Sequence, residues 1–549
     1  MTARFLKLLL LVLFTAPSVT FAQRDSVKDL ENVDIYTKYR PVLSDAKRVE
    51  SQPEMKEPEI KTLTFNYSFP DLRYKVKPAF TSIAAQEYRT NDGGAFINGN
   101  FLKAGFGNYT TPLLHLELHN GKSNNYAYGL SAHHLSSNGK GFKTFMDDNI
   151  SLQGAKFMNG NTLSGQLGYS RFGYNYYGYT TDSNILKKDT IERANTKDSV
   201  KQAINNITAN LHYDNTKTSK RLKTGFDIDF YRFSVIQQNE IGYRLSNKTG
   251  GKVGNGELFV NTAFEGFASG PDSLKYNRNY IDINPIYKMR YKGVDLTMGF
   301  FSSIFLDSLD DQFYIYPEFK VDYYVVPEKM KAYGGLGGGL TKGSNRVLYT
   351  ENAFIAQNQP LKNMYTPYIV FGGIKGKLGS SFDYMLELSQ QTINNLPLYL
   401  TDTLAPHKFI IQYENVGLFK FQAGLNYNRF EKFKVGTNFT YFSYNTTASH
   451  AFQRPDFEWN TKVSGTIRGK LAMHSKIYVI GTRYARYIWD VESEKLPVIA
   501  DINIGADYRY SKKLSFFIDL NNLTNQTYQR WFNYPSYGLN GIAGATFIF

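Results

Sequence analysis

Histidine and carboxylate side chains over residues 115–133 are spaced closely enough to suggest a metal site. His115, Glu117 and His119 are two residues apart, and His133 lies on the following segment. Alternate side chains of a β-strand point to the same face, so these groups would share one surface, where imidazoles and a carboxylate suit zinc. The alternative is that they are polar wall residues hydrogen-bonded to another part of the chain. We favour this alternative, and expect no bound metal and no cofactor.

Charged side chains recur on the polar faces of later segments. They are Asp227, Asp229, Asp282, Lys288, Arg290, Asp295, Asp507 and Arg509. Charges of mixed sign on one wall can select a solute, as charged rings do in pores. They could equally pair with one another and with a segment of chain that fills the interior. Both interpretations place these charges on the wall of a wet lumen.

No set of residues predicts catalysis. Gly121-Lys122-Ser123 lacks the upstream glycine of a phosphate-binding loop. The glycines at 335 and 337–339 are expected within a strand that bends or packs closely. No Ser–His–Asp set or paired-carboxylate cleft has a spacing that indicates an active site. The chain has no Cys, which excludes a thiol nucleophile and disulfides. We therefore predict that the protein is not an enzyme.

The elements that position these residues are strands with one apolar and one polar face. Ile207 and Leu211 alternate with Asn206 and Asn210, for example, and the same period of two recurs at 225–230, 281–290, 294–300 and 501–509. This period indicates strands. Aromatic residues make up 16 % of the chain, yet the mean hydropathy is −0.39. Strands with lipid on one side and a polar lumen on the other have these properties.

The lengths of the connections predict the topology. Short connections are expected at 121–124, 158–161, 216–219, 291–293, 326–328, 379–380, 430–431 and 511–512. Longer ones are expected at 137–146, 175–203, 342–364, 392–407, 487–497 and 524–538. Alternation of short periplasmic turns with long extracellular loops is typical of bacterial barrels. We predict an all-β, transmembrane antiparallel β-barrel of about 22 strands, within a range of roughly 18–24.

Two aromatic clusters have more than one interpretation. Residues 174–179 read YNYYGY and residues 313–316 read FYIY. Aromatic belts at the membrane surface would account for both. The first cluster borders the longest predicted outer loop, where it could instead stack on sugars.

The start of the chain predicts export. Residues 1–22 combine a basic start with an apolar run over 8–14 and end at Ala22, which indicates a cleaved signal peptide. Residues 23–94 are charged and interrupted by proline, so we expect a periplasmic or lumenal N-terminal arm. The barrel is assigned to residues 95–549.

The net charge of the chain limits the classes of partner that are expected. The formal net charge is +15, but no basic run or aromatic-basic module accompanies it, so nucleic acid is not expected. A basic surface or lumen suits an outer membrane rich in anionic lipopolysaccharide. We expect outer-membrane lipid as the surroundings, with a periplasmic or outer-membrane protein as a further partner.

The C-terminal hairpin resembles that of TonB-dependent receptor barrels. Asn522 to Tyr528 reads NLTNQTY, which matches the N-L-x-N-x-x-Y stretch of that family. The Pro-Gly-Arg of the family's following loop is replaced by Pro535-Ser536-Tyr537-Gly538. The chain ends on Phe549, like barrels sorted to the outer membrane of Gram-negative bacteria by the barrel assembly machinery. Residues 102–135 also resemble plugless receptor-type barrels of Bacteroidota.

The front of the chain departs from the family. Glu31, Val33 and Ile35 resemble a TonB box, but residues 23–94 are shorter than the plug of these receptors and carry none of its motifs. The resemblance therefore implies a plugless, receptor-like barrel for solute uptake, either porin-like or gated by a partner. TonB-driven import stays open. The alternative is a non-transporting structural or docking subunit of an outer-membrane complex.

Overall fold

The computed structural model describes residues 100–120, 125–139, 143–158, 160–178, 201–215, 222–235, 238–269, 276–307, 311–429 and 433–549. The predicted signal peptide (1–22) lies outside these residues. So does almost all of the segment before the first strand, including the predicted arm (23–94) with Glu31, Val33 and Ile35.

Twenty-two antiparallel strands form one closed sheet. Closure is made by β1, which pairs with both β2 and β26. The barrel strands are β1 Phe101–Gly107, β2 Thr111–His119, β3 Tyr126–Asn138, β4 Thr144–Met158, β5 Asn161–Asn175, β6 Lys201–Asp214, β7 Leu222–Val235, β8 Gln238–Val253, β9 Gly256–Ser269, β10 Tyr276–Tyr291, β11 Val294–Leu306, β12 Gln312–Val326, β13 Met330–Thr341, β14 Met364–Leu378, β15 Phe382–Thr401, β16 Phe409–Arg429, β17 Phe433–Thr446, β18 Phe457–Ile467, β19 Leu471–Ile480, β22 Ile499–Arg509, β23 Leu514–Asn521 and β26 Asn540–Ile548. The predicted fold class and strand number are confirmed.

In the described parts of the long connections there are four short strands and one helix. The strands are β20 Arg483–Ala485, β21 Glu494–Leu496, β24 Gln529–Trp531 and β25 Tyr534–Pro535, and the helix is α1 Asn345–Glu351. No helix of the described residues has the length and apolar character needed to cross a membrane.

The two faces of the strands differ as their sequence pattern predicts. On β7, Phe226, Ile228 and Phe230 are exposed outward, with 46 %, 49 % and 43 % of their surface accessible. Their neighbours Asp227 and Asp229 point to the lumen. The apolar outer wall and polar inner wall are those of a barrel surrounded by lipid. The cluster at 313–316 divides in the same way, because Phe313 is exposed whereas Tyr314 and Tyr316 are buried.

The seam joins the two ends of the described barrel. Asn108, in the tight β1–β2 connection, donates from Nδ2 to Leu539 O at 3.0 Å and accepts from Gly541 N at 2.9 Å. Phe517 is the apolar exception on the inner face of β23. It packs with Leu135 and Ile542, and Lys103 Nζ lies 3.8 Å from its ring centroid. The seam is thus held by contacts on both of its strands.

Two outer connections are markedly shorter than predicted. Residues 137–146 were expected to form one of them, but β3 continues to Asn138 and β4 begins at Thr144. Residues 392–407 were expected to form an outer loop, but β15 continues to Thr401 and only 402–408 connect it to β16. The strand continues because Leu396, Leu398 and Leu400 are buried against other outer connections. The glycine-rich stretch of residues 335–339 lies within β13, as predicted. There, a Cβ at Gly338 would clash with the Cβ of Tyr316.

Candidate functional site

The extracellular mouth of the barrel is filled by its own connections. Strands far apart in the sheet, such as β5 and β15, contribute to a single buried cluster, which requires contact across the lumen. We call this cluster the mouth core. It combines Tyr174, Tyr176, Phe233, Tyr280, Tyr399 and Phe409 with Leu348, Tyr349, Ile355, Trp531, Phe532 and Tyr534 from the connections. Tyr174 and Tyr176 are therefore buried, rather than forming a membrane belt or an exposed sugar platform.

The largest contribution comes from residues 342–363, which we call the inward loop. Its helix α1 begins after Ser344, whose side chain accepts the N–H of Val347. Glu240 on β8 is fully buried and accepts the backbone N–H groups of Asn345 at 2.6 Å and Arg346 at 3.3 Å. Tyr231 donates to the same carboxylate at 2.7 Å. A carboxylate is favoured at unpaired N–H groups that begin a helix, so Glu240 anchors the start of α1.

Both ends of the inward loop are held by Arg278 on β10. Its guanidinium donates to Gly343 O at 3.1 Å, to Leu361 O at 3.0 Å and to Asn363 Oδ1 at 2.9 Å. The planar fork of arginine suits several acceptors at once. A single buried cation thereby joins the entry and exit of the loop.

Two further cations connect the loop to the wall. Lys342 Nζ lies 2.9 Å from Glu265 Oε2 and 2.6 Å from Asp282 Oδ2. Arg454 Nη1 lies 2.6 Å from Glu351 Oε1 at the other end of α1, and Arg454 Nη2 donates to Pro397 O at 2.7 Å. The polar contacts of the inward loop thus reach strands on several sides of the barrel.

The inward loop also joins the strand system directly. Ile355 forms a parallel bridge with Phe409. Ala356 N donates to Phe409 O at 2.8 Å, and Phe409 N donates to Phe354 O at 3.0 Å. These backbone bonds fix the part of the loop that follows α1.

The residues of the C-terminal motif make the hydrogen bonds that fold the last outer connection, 522–539. Asn522 donates from Nδ2 to Gln526 O at 2.8 Å and to Tyr537 O at 2.7 Å. Asn525 Oδ1 accepts Leu539 N at 2.8 Å. Tyr528 donates to Asp501 Oδ2 at 2.5 Å. In this chain the motif residues hold the connection folded, which places Trp531 and Tyr534 in the mouth core.

Burial alters the titration of two groups in the outer connections. Burial, and then the charge of Lys408, lowers the pKa of His407 from its ordinary 6.5 to about 4. Its ring packs edge-on against Tyr176 with centroids 5.2 Å apart. Burial, followed by repulsion from Arg530, lowers the pKa of Arg483 to about 9. At neutral pH His407 is uncharged, and Arg483 keeps its charge.

Most of the predicted lumen charges form local contacts on the barrel wall rather than contacts with the inward loop. His212 Nδ1 lies 2.5 Å from Asp227 Oδ1, Asn210 donates to Asp229, and Arg290 Nε lies 3.2 Å from Asp295 Oδ1. Asp507 Oδ2 lies 3.9 Å from His474 Nδ1, and Arg509 donates to Gly469 O at 3.3 Å. Lys288 is exposed. Asp282 alone reaches the inward loop, through Lys342.

The structure brings together part of the predicted histidine cluster. His115 and His133 are cross-strand partners with ring centroids 5.4 Å apart. Glu117 Oε1 lies 2.9 Å from His115 Nε2 and accepts Ser131 Oγ–H at 2.5 Å. His119 is four residues further along β2 and lies near Asn120 O at 3.3 Å. No group of three or more metal-ligating side chains in the described part of the chain is placed to hold a metal ion.

Sequence reasoning missed Glu240, Arg278 and Arg454, the charges that hold the inward loop. Each lies at the outer end of a strand or in a connection, within a polar stretch that has no recognisable motif. The only signal in the sequence was an isolated charged residue at each of these positions. The sequence did not indicate which residue each charge contacts, because partners such as Glu240 and Asn345 are 105 residues apart.

Comparison with solved structures identifies proteins that share this fold. Neither a protein-family model nor a curated protein matches the chain. The FrpB iron transporter from Neisseria meningitidis (F3-3 variant) superposes with a TM-score of 0.63 at 11 % identity, over 82 % of this chain and 81 % of that one. The siderophore receptor PirA from Acinetobacter baumannii gives 0.61 at 10 % identity, over 82 % and 80 % of the two chains. The closed form of the ferric-catecholate import receptor Fiu from E. coli K12 gives 0.58 at 11 % identity, over 82 % of both.

The barrel has the fold of TonB-dependent receptor barrels. This agrees with the resemblance inferred from the C-terminal hairpin and with the strand number. At 10–11 % identity, the similarity to these structures shows a shared barrel fold.

Proposed function

We propose that this protein is an outer-membrane receptor or transport barrel for solute uptake, and that its own inward loop closes the extracellular mouth. The observation that carries the proposal is the anchoring of the inward loop by Glu240, Arg278 and Arg454 across a lumen with a charged wall. A loop held by a few polar contacts can be released by a ligand that competes for them. The solute would bind from outside, at the mouth core.

The proposed location is the outer membrane of a Gram-negative bacterium. The signal peptide at 1–22 would direct export, and the apolar outward face would meet lipid and lipopolysaccharide. Phe549 would then act as the sorting signal for the barrel assembly machinery. In the structure Phe549 is 52 % exposed, and its ring stacks on that of Phe547. An exposed terminal aromatic is accessible to an assembly partner.

We further propose that the barrel has no plug domain of its own. The inward loop and the N-terminal arm (23–94) would together take the place of a plug. The segment containing Glu31, Val33 and Ile35 would then be a periplasmic contact, either for TonB or for another envelope protein. The lumen charges, including Asp227, Asp229, Lys288, Arg290, Asp507 and Arg509, would line the path below the inward loop.

A second function is favoured by a different observation. Leu404, Trp489 and Val491 project from two outer connections with 88 %, 77 % and 92 % of their surface exposed. The end of β15, just before the first connection, is joined to the second by hydrogen bonds from Thr401 N to Arg486 O and from Ile488 N to Thr401 O, both 2.9 Å. Exposed apolar groups of this kind suit a protein partner. A sealed barrel presenting them would be a structural or docking subunit of an outer-membrane complex.

Planar-bilayer conductance separates the two functions. We would compare the wild type with a variant in which residues 342–363 are replaced by a short Gly/Ser linker, each with and without residues 23–94. Transport predicts steady channels once the inward loop and the arm are removed. Leu404→Ser, at an exposed tip of the same face, is the matched control and should conduct like the wild type. Absence of conductance in the doubly deleted variant would exclude a transport path.

Co-purification from native membranes completes the test. If docking is the function, deleting residues 23–60 or changing Trp489 and Val491 to Ser should remove a partner without creating conductance. Retention of all partners by both variants, together with channels in the loop-deleted barrel, would favour transport alone.

A further inference from the structure

A serine, a histidine and an aspartate form a continuous hydrogen-bonded chain on the outer wall of the barrel. His134 Nδ1 lies 2.6 Å from Asp148 Oδ1, and His134 Nε2 lies 3.1 Å from Ser136 Oγ. Both distances are within hydrogen-bond range. The two contacts use opposite nitrogens of one ring, so the imidazole lies between the carboxylate and the hydroxyl.

The backbone register explains why these three side chains meet. His134 and Asp148 are directly opposed on the antiparallel pair β3–β4, and Ser136 is two residues beyond His134 on the same face. That face points outward, since Tyr126 and Tyr128, at the same parity of β3, are more than half exposed. The sequence shows only His-x-Ser and a distant aspartate, so the set is visible only once the register is known.

The protonation of the chain follows from its partners. An ionised carboxylate can only accept hydrogen bonds, so His134 Nδ1 carries the proton and donates to Asp148. In a neutral imidazole the other nitrogen is then an acceptor, and Ser136 Oγ–H donates to Nε2. This is the arrangement in which a histidine acts as a general base toward a serine, with the aspartate fixing its tautomer.

The set lies at the boundary between the apolar band and the extracellular rim. Ile150 and Leu152 follow Asp148 on the outward face of β4, and both are half exposed. Toward the extracellular end, the outward face of β3 continues to the exposed Asn138, where the strand ends. Leu114, which opposes His134 on β2, is also exposed. At this level a hydrolytic site would meet the head-group region of the outer leaflet, where lipid esters and water are both present.

We propose that Ser136, His134 and Asp148 form a serine-hydrolase site for long-chain acyl esters of outer-leaflet lipids, an activity independent of the proposed transport. Ser136 Oγ attacks the ester carbonyl while its proton passes to His134 Nε2. The C–O bond to the alcohol breaks, and His134 gives the proton to the departing alcohol. Water, deprotonated by His134, then attacks the acyl-serine. The acyl bond to Ser136 Oγ breaks, His134 returns the proton to Oγ, and a free fatty acid leaves. The net reaction is ester plus water giving acid plus alcohol.

Two side chains that carry hydrogen-bond donors lie near the three residues on the same wall. Arg171 on β5 is the cross-strand partner of Asp148, and its Nε is buried with no hydrogen-bond partner among the described residues. Asn138 carries an exposed amide two residues beyond Ser136. Donors aimed at a developing oxyanion are the usual requirement of acyl transfer. Arg171 and Asn138 are assigned as positioning or stabilising groups, separate from the three reacting residues.

A fluorophosphonate probe tests the nucleophile in the full-length barrel, folded in detergent micelles. The probe should form a covalent adduct on Ser136, identified by peptide mass spectrometry. Ser136→Ala should abolish labelling. The matched control Ser137→Ala changes the next residue on the opposite face and should label like the wild type. Heat-modifiable migration in gels shows that each variant is folded. A folded wild type without an adduct on Ser136 would overturn the proposal.

Ester hydrolysis tests the reaction and its substrate. Release of fatty acid from phosphatidylethanolamine micelles and from lipopolysaccharide micelles would be measured separately, which distinguishes the two sources of acyl ester. Asp148→Asn should lower the rate on the preferred lipid by about 10⁴-fold, as the same change of the orienting carboxylate does in another triad. Hydrolysis of neither lipid, or equal hydrolysis by Ser136→Ala, would reject the site.

Discussion

Glu240 accepts the backbone N–H of Asn345 at 2.6 Å, so a residue at the outer end of a barrel strand fixes the start of a helix inside the mouth. The carboxylate is fully buried and also accepts from Tyr231 and from the N–H of Arg346. Hydrogen bonds to a buried charged group are strong, and they leave unsatisfied partners when one side is removed. The closed state of the mouth should therefore depend on this one acceptor.

Replacing Glu240 by Ala should open the mouth. Loss of even one charged hydrogen bond costs about 1.5–3 kcal/mol, which would raise the open fraction roughly 10- to 150-fold. Single-channel recording would show this as more frequent or longer openings. Glu257→Ala is the control, since Glu257 pairs with Lys223 at 3.0 Å near the opposite end of the strands. Equal opening in both variants would contradict a specific role for Glu240.

Removing Arg278 should loosen both ends of the inward loop together. Arg278→Ala deletes three hydrogen bonds to Gly343, Leu361 and Asn363. We expect faster hydrogen exchange across residues 342–363, by about one order of magnitude or more. Arg278→Lys keeps the charge but lacks the planar fork of the guanidinium. Its rate of hydrogen exchange should therefore lie between those of the wild type and Arg278→Ala. Arg290→Ala, at an exposed ion pair with Asp295, is expected to exchange like the wild type. Faster exchange at only one end would contradict the clamp.

Acid should weaken the packing of residues 402–408 in the mouth. The pKa of His407 is lowered from 6.5 to about 4, by burial and then by Lys408, with Asp402 opposing the shift. The docked connection therefore prefers the neutral ring. The neutral ring makes its full contribution to the stability of the docked connection above pH 6.5. This contribution, up to about 3 kcal/mol, is lost as the pH falls through about 4. Channel opening measured from pH 7.5 to 4 should rise in the wild type, and His407→Gln should flatten that rise. A profile unchanged by the substitution would rule out His407 as the group responsible.

The barrel could be predicted from the sequence because its physics is local. Phe226, Asp227 and Ile228 alternate between lipid and lumen. This alternation follows from the geometry of a single strand and does not depend on contacts with distant parts of the chain. The same reasoning failed at 392–407, where the strand continues because Leu398 and Leu400 are buried against other outer connections. Such burial depends on long-range contacts that no local pattern records.

The site was less predictable for the same reason. The lumen charges were found because they occupy the polar face of regular strands. Arg278 and Arg454 were missed because their acceptors lie in the inward loop or across the mouth. The His134, Ser136 and Asp148 chain depends on the register of one strand pair. A shift of one residue would move Asp148 to the opposite face.

Phe549 should matter more for assembly than for the stability of the finished barrel. Its backbone N–H donates to Asn100 O at 2.9 Å, but its ring is half exposed and stacks on Phe547 with centroids 5.8 Å apart. Phe549→Ala should therefore reduce the amount of heat-modifiable, folded barrel in the outer-membrane fraction several-fold. The thermal midpoint of the purified protein should change little, since exposed side chains contribute within about 0.5 kcal/mol. Phe516→Ala, equally outward-facing but within β23, supplies the control, because it removes a similar exposed ring without altering the terminus. Equal losses of folded barrel from the two variants would show that the terminal position carries no sorting information.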